Sequence, residues 1–322
     1  MPTSRSNKPL IAITMGDPSG IGPEVTLKAL ASSNVSKLAD FFVIGDGAVI
    51  EMTKRALKLK SDVPLLDLAN VPAKDFRYGV SRPSFGKAAI EYIDMALELL
   101  NNRAIDALVT APINKTSINS GAAKGFKGHT EYLAKKTLTK DYAMMFVSDR
   151  LKITLVTRHI PLKDVPKAIS VKNISRTILL THKYLKRYFG IRRPKIGVAG
   201  LNPHAGETGL IGKEELSVIG PAVRSASKHI SGVCGPVVPD IIFYEALNKR
   251  FDAVISMYHD QALIPFKMLY FSDGVNLTLG LPFVRTSPDH GTAFDIAGKM
   301  IADPSSMREA LLLAARLAKQ SL

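Results

Sequence analysis

PLIAITMGDPSGIGPEVTLKAL, residues 9–30, is the stretch on which the fold reading turns. PLIAITM is short and apolar, as a buried strand should be. MGDPSGIGPEV (15–25) follows, with glycines at 16, 20 and 22 for tight backbone geometry and Pro23 suited to the first helical turn. PEVTLKAL then takes up helical spacing. Strand, glycine-rich turn and helix N-terminus make one β–α unit whose turn is friendly to anions. The dinucleotide fingerprint G-x-G-x-x-G is absent here and elsewhere, and DGAVI (46–50) is only a fragment of it. A Rossmann cofactor site is therefore not expected.

The same alternation continues outward. DFFVIGD (40–46), IDALVTAP (105–112), LKITLVT (151–157), KIGVAGLNP (195–203), DAVISMY (252–258) and GVNLTLG (274–280) read as strands of a largely parallel sheet. Helical patterns lie between them at 48–58, 85–100, 130–138, 171–189, 213–229 and 239–250, and a last helix spans 306–320. Helices on both faces of the sheet, hence α/β architecture, are the expectation. YAMMFVSDRLKITLVTRH (142–159) is the local exception, two strand-like runs split by Asp149-Arg150 and read as an antiparallel hairpin. A boundary is placed near residue 125, in the glycine-rich GAAKGFKGH (121–129).

Composition narrows the function. The 322 residues allow two lobes or one large α/β unit. No apolar run approaches the roughly 20 residues that cross a bilayer, and MPTSRSNKPLIAITMGD lacks a leader's cleavage pattern. The single cysteine, Cys234, forms no intramolecular disulfide, so a cytoplasmic location is expected. The net charge of +15 invites a nucleic-acid reading. However, the basic residues are dispersed, with short clusters only at 54–60 and 186–195, and no tryptophan or aromatic-basic stripe is present to stack bases. A field that attracts small anions, phosphates included, fits better.

Three histidines stand just past separate strands: His159 after LKITLVT, His204 after KIGVAG and His259 after DAVISM. Ligands of open α/β sheets gather at strand carboxyl ends, and three imidazoles there would form a divalent-metal site with room for a substrate. His129 and Thr130 in GHTEYL open a helix, either as capping residues or against a ligand's phosphate or hydroxyl. Lys267, Asn276 and Arg285 offer a cation, an amide and a second cation, the donors a phosphate dianion needs. Arg285 sits in an apolar, turn-rich stretch, where either an anionic ligand or an internal salt bridge would compensate its charge.

SPDHGTAFDIAGKMIADP (287–304) resembles the nucleotide-binding segment of the isocitrate and isopropylmalate dehydrogenases, as does GIGPE. MGDPSGIGPEV, TAPINK, GHTEYL, LNPHAGE, MYHDQ and NLTLGLPFVRTSPDHGTA, in this order, more closely resemble the 4-hydroxythreonine-4-phosphate dehydrogenase family of pyridoxal 5′-phosphate biosynthesis, from about residue 10 to 318. The resemblance implies the isocitrate/isopropylmalate dehydrogenase-like fold. One lobe would be residues 1–125 with 286–322, holding the nucleotide-binding loop; the other would be 126–285, with metal and substrate sites and a dimer interface. It implies His159, His204 and His259 as ligands of zinc, cobalt or magnesium, and His129, Thr130, Lys267, Asn276 and Arg285 as contacts to the phosphorylated substrate. It also implies His290, Gly291, Thr292, Ala293 and Asp295 at NAD or NADP, and a homodimer whose site is completed by both chains. Lys115 of TAPINK is the nominee for the base, with strand-end capping as its other reading. The implied reaction is oxidation of 4-phosphooxy-L-threonine followed by decarboxylation. The same chemistry on threonate or erythronate 4-phosphate, or on a dihydrodiol, is the near alternative, and a phosphotransacetylase-like acyltransferase the distant one. Thr208, where many members carry glycine, is a local departure.

Overall fold

A computed structural model of the chain describes residues 8–60 and 62–320. Residues 1–7, on which the leader reading partly rests, lie outside the described residues. In chain order the elements are β1 Leu10–Thr14, α1 Gly22–Leu30, β2 Asp40–Gly45, α2 Gly47–Ala56, β3 Leu65–Asp67, α3 Pro83–Asn101, β4 Ala107–Thr110, α4 Lys115–Asn119 and α5 His129–Lys136. They continue with β5 Ala143–Val147, β6 Lys152–Leu155, α6 Val165–Ala168, α7 Val171–Phe189, β7 Ile196–Ala199, α8 Gly220–Ser227, β8 Val233–Val237, α9 Pro239–Leu247, β9 Ala253–Ser256, α10 His259–Tyr270, β10 Val275–Leu279, β11 Val284–Pro288 and α11 Ser305–Lys319.

Two compact units result, residues 1–137 with 282–322, and residues 138–281. In the first, the strands run β3-β2-β1-β4-β11, every neighbour parallel. β1 and β4 are buried along nearly their whole length, Ile11, Ala12, Ile13, Leu108 and Val109 being fully enclosed, which explains their unbroken apolar runs. In the second, the order is β10-β5-β6-β9-β7-β8; β6, β9, β7 and β8 are parallel, whereas β5 is antiparallel to both β10 and β6. The hairpin read from residues 142–159 is therefore present, turning at Ser148, whose Oγ accepts from Leu151 N at 3.0 Å and donates to Leu151 O at 3.1 Å. The core of this unit gathers Phe146, Ile153, Leu155, Ile242, Val254 and Phe266 between the sheet and helices α9 and α10. The architecture is α/β with mostly parallel pairing.

One expected helix is divided. Residues 213–229 read as a single helix, but Glu215–Ile219 is a π-turn and the α-helix begins at Gly220. Pro221 supplies the reason, since its missing N–H cannot close an ordinary helical turn. No helix among the described residues is long and apolar enough to cross a membrane.

Candidate active site

In the first unit the loops after β1 and β4 lock together. Asp17 N donates to Pro112 O at 2.9 Å. Gly16, at φ +79°, lies so close that a Cβ would stand 2.3 Å from Pro112 O. Only glycine meets both demands. Asp17 is wholly enclosed; its Oδ1 accepts from Ser19 N at 2.9 Å, while its Oδ2 has no hydrogen-bond partner among the described residues. Burial outweighs the favourable effect of Ser19 and the nearby Ser117 hydroxyl and pushes its pKa from 3.8 up to about 6. Ser117 belongs to the first turn of α4, which Asn114 caps by accepting from Ser117 N at 2.8 Å. Lys115 is the first residue of that helix and is exposed.

Near it begins α5. Gly128 precedes it at φ +151°, with Lys115 Nζ and Glu131 Oε2 at 3.9 and 3.2 Å from where its Cβ would sit. His129, the first residue of α5, has its Nε2 buried without a hydrogen-bond partner among the described residues. Burial, and then the charges of Arg285 and Lys115, hold its pKa well below 6.5, so the imidazole is neutral. Thr130 is buried as well. Arg285 rises from β11 and is only 2% exposed, its Nη2 and Nε donating to Thr110 Oγ1 at 2.6 and 3.2 Å. Burial lowers even its pKa to about 9, partly opposed by Glu131. Thus His129, Lys115 and Arg285 are brought together near the carboxyl end of β4, a cationic setting around a neutral donor. A phosphate would suit it, because charge-assisted donors gain most where water is excluded.

The expected cofactor residues lie on the irregular segment after β11. Gly291 and Asp295 are exposed, Ala293 has φ +42°, and His290 Nδ1 lies 3.1 Å from Gly291 O. A Cβ at Gly291 would meet nothing within 4 Å, so the chain itself does not demand a glycine there. The glycine-rich turn is bound to this segment: Ile21 N donates to Thr292 O at 3.0 Å. Glu24 Oε1 accepts from Ala302 N and Lys28 Nζ, and Lys28 Nζ in turn donates to Met300 O and Ala302 O. Part of the turn read as anion-binding thus serves to anchor residues 287–304. Sequence reading missed Glu24 in this role, although GIGPE was visible.

In the second unit two of the three strand-end histidines meet. The rings of His159 and His259 have centroids 5.2 Å apart and planes at 45°. Asp260 Oδ1 lies 2.7 Å from His259 Nδ1, the kind of partner that orients a ligating imidazole. Gln261 ties this corner down, accepting from Met257 N and donating to Gly200 O, both at 2.7 Å. Asp260 and Gln261 were legible only as neighbours in MYHDQ. His204 is exposed on a separate turn, and no group of three metal-capable side chains forms among the described residues. Two adjacent imidazoles with a carboxylate behind one of them fit a divalent cation's need for nitrogen donors. The third donor does not come from the same cluster.

The turn that carries His204 is unusual. His204, Ala205, Gly206, Glu207 and Thr208 all have positive φ, at 52°, 53°, 79°, 45° and 56°. For L-residues this region costs on the order of 1–2 kcal/mol each, and such strain gathers at functional sites. A glycine at 208 would avoid it, whereas Thr208 does not. Lys267, on α10, is partly exposed with its Nζ 5.9 Å from the Phe271 ring centre. Asn276 on β10 has its Oδ1 buried without a hydrogen-bond partner among the described residues.

The family model for "Pyridoxal phosphate biosynthetic protein PdxA" matches residues 18–314. The chain belongs to the PdxA family. A 4-hydroxythreonine-4-phosphate dehydrogenase of Desulforapulum autotrophicum is 47% identical over 96% of this chain and 95% of its own. A D-threonate 4-phosphate dehydrogenase of Cupriavidus necator is 44% identical over 96% of this chain and 97% of its own. The solved structure of a Klebsiella pneumoniae 4-hydroxythreonine-4-phosphate dehydrogenase has a TM-score of 0.87 at 38% identity, over 98% of this chain and 100% of that one. Membership in the PdxA family rests on the entire succession of motifs, since the match runs from the first glycine-rich loop into α11.

Proposed function

We infer that this PdxA-family chain is an NAD(P)-linked dehydrogenase acting on a phosphorylated hydroxy acid, with 4-phosphooxy-L-threonine as the substrate and 3-amino-2-oxopropyl phosphate as the product after decarboxylation. The observation that carries the reading is Arg285, a guanidinium 2% exposed beside a neutral histidine, in a chain 47% identical to a named 4-hydroxythreonine-4-phosphate dehydrogenase. Arg285, His129 and Thr130 supply donors for the phosphate, and Lys267 and Asn276 are the other residues proposed as substrate contacts. Phosphate binding away from the reacting carbon contributes orientation. Lys115 takes the hydroxyl proton, from a helix start braced by Asn114 and Ser117.

His159, His259 and His204 would hold zinc, cobalt or magnesium, and residues 290–295 would hold NAD or NADP. When bound, these groups supply polarisation of the hydroxyl and acceptance of the hydride. The chain works as a homodimer, with His204 reaching the partner's histidine pair. Its exposed position on a rigid turn supports this reading, and so does the apolar surface of the second unit. Ile264 and Met268 on α10 and Phe271 at its C-cap are spaced i, i+4, i+7 and are 62%, 81% and 77% exposed, while α9 exposes Ile241 and Tyr244. Such stripes are typical of interfaces. A cytoplasmic location fits the lone cysteine.

The D-threonate 4-phosphate relative keeps that acid as a second reading. Steady-state oxidation of 4-phosphooxy-L-threonine and D-threonate 4-phosphate, with NAD and with NADP, before and after chelation, tests all of this. Selective turnover of the amino acid, lost on chelation, is expected. Preference for the threonate would change the substrate; failure with both would refute the function.

A further inference from the structure

LNPHAGETGLIGKEE, residues 201–215, folds back on one buried carboxylate. Glu215 is 3% exposed and opens the π-turn. Its Oε1 accepts from Leu201 N at 2.7 Å and Asn202 N at 2.8 Å, and its Oε2 accepts from Asn202 Nδ2 at 2.9 Å. Asn202 Nδ2 also reaches Glu214 Oε2 at 2.8 Å. The left-handed turn winds around this post. A Cβ on Gly206 would stand 2.6 Å from Glu215 Oε2, and one on Gly200 would stand 3.2 Å from Oε1. Further bonds close the turn, from Ala205 N to Asn202 O and from Ile211 N to Gly206 O. The same peptide stretch is gripped from its other side, because Gly200 O accepts from Gln261, two residues after His259.

A run of non-glycine residues at positive φ does not hold itself; surrounding bonds must over-determine it. Here one side chain satisfies two backbone amides at the root of the turn. Glu215 is eleven residues from His204 in sequence and is no candidate ligand, since both of its oxygens are already engaged.

We propose that Glu215 is a positioning residue for His204, its carboxylate fixing the left-handed turn that presents this imidazole for metal binding. The inference rests on the reading of His204 as a ligand given above. Replacing the carboxylate with an amide leaves the side chain's shape but turns one acceptor into a donor facing other donors. The turn should then loosen while the sheet, anchored elsewhere, stays folded.

Cobalt(II) titration into the chelated, dialysed full-length protein tests this, read by calorimetry and by the visible spectrum of the bound ion. Glu215→Gln should weaken cobalt binding by about 10-fold or more, the scale seen for residues that orient ligands, and should alter the spectrum, with the thermal midpoint within a few degrees of wild type. His204→Ala serves as the reference. If His204→Ala loses cobalt and Glu215→Gln binds it as wild type does, the positioning role is overturned. If His204→Ala itself binds normally, the ligand reading fails instead, and the two failures are distinct. Should Glu215→Gln not fold, Gly206→Ala, which pushes on the same carboxylate, decides the question: unchanged cobalt affinity in it also overturns the proposal.

Discussion

Replacing Asp17 with asparagine should make the protein relatively more stable as pH rises. Asp17 is fully enclosed, and burial moves its pKa from 3.8 to about 6. A folded-state pKa above the unfolded one means that the folded chain holds this proton more tightly. The group's stabilising contribution is therefore complete below pH 3.8 and is lost as pH climbs through 6. At 1.36 kcal/mol per pH unit, that interval costs the folded wild type about 3 kcal/mol, of which about 2 kcal/mol falls between pH 4.5 and 7.5. Asparagine does not titrate. It keeps an acceptor for Ser19 N, and any penalty for its amide hydrogens is the same at every pH. The quantity to measure is thus the difference in unfolding free energy between Asp17→Asn and wild type, from denaturant titrations at several pH values. It should shift in the variant's favour by about 2 kcal/mol from pH 4.5 to 7.5. A flat difference would refute the reasoning, showing that the carboxylate is solvated or paired more effectively than its enclosure implies.

Three further outcomes follow from packing and backbone geometry. Gly86→Ala should lower unfolding free energy by about 1–3 kcal/mol, because its Cβ would fall 2.3 Å from the backbone of Ser117 where α3 crosses α4; an unchanged denaturation midpoint would contradict that. Thr208→Gly should stabilise by about 0.5–1 kcal/mol, the left-handed cost removed less the extra freedom of glycine when unfolded, and a thermal melt showing destabilisation would mean that the Thr208 Oγ1 bond to Glu207 O matters more. Met268→Glu, which places a charge in the apolar stripe of α10, should shift light-scattering mass from dimer to monomer; a variant of unchanged mass would remove that face from the interface.

Most of the sheet was legible because its strands are buried on both faces and so read as unbroken apolar runs. PLIAITM, IDALVTAP and DAVISMY needed no context. Three strands were missed where that signal fails. LLD is too short, VCGPV contains glycine and proline, and VRTSP places Arg285 inside a strand that composition marks as a turn. Helix α10 escaped because Pro265 stands within it and its outer stripe is apolar, which blurs the amphipathic period. At the site, the residue types singled out His129 and Arg285, which share one cationic setting in the first unit, since a lone arginine in an apolar stretch needs a reason. The convergence of three histidines was argued from strand ends alone. Strand ends fix where a loop starts, but not where a turn of residues at positive φ then aims a side chain, and that is how His204 departs from the pair at 159 and 259.

The costly features of this chain are not spread evenly. An enclosed carboxylate at 17, an enclosed guanidinium at 285, a neutral half-buried imidazole at 129 and four non-glycine residues at positive φ from 204 to 208 all lie at or beyond strand ends, or reach toward them. Away from these positions most strand residues are apolar, as in β1, β4 and β9. A fold selected only for stability would lose these features; the substitution at 208 should gain stability, and that at 17 should gain relative to wild type as pH rises. Proteins commonly keep such costs where binding requires a preorganised charge or a fixed direction. Arg285 supplies the charge beside the neutral His129, and the turn around Glu215 supplies the direction. The same argument predicts which gains are harmless: stability recovered at 208 leaves the carboxylate post intact, whereas stability recovered at 285 would remove the donor proposed for the phosphate.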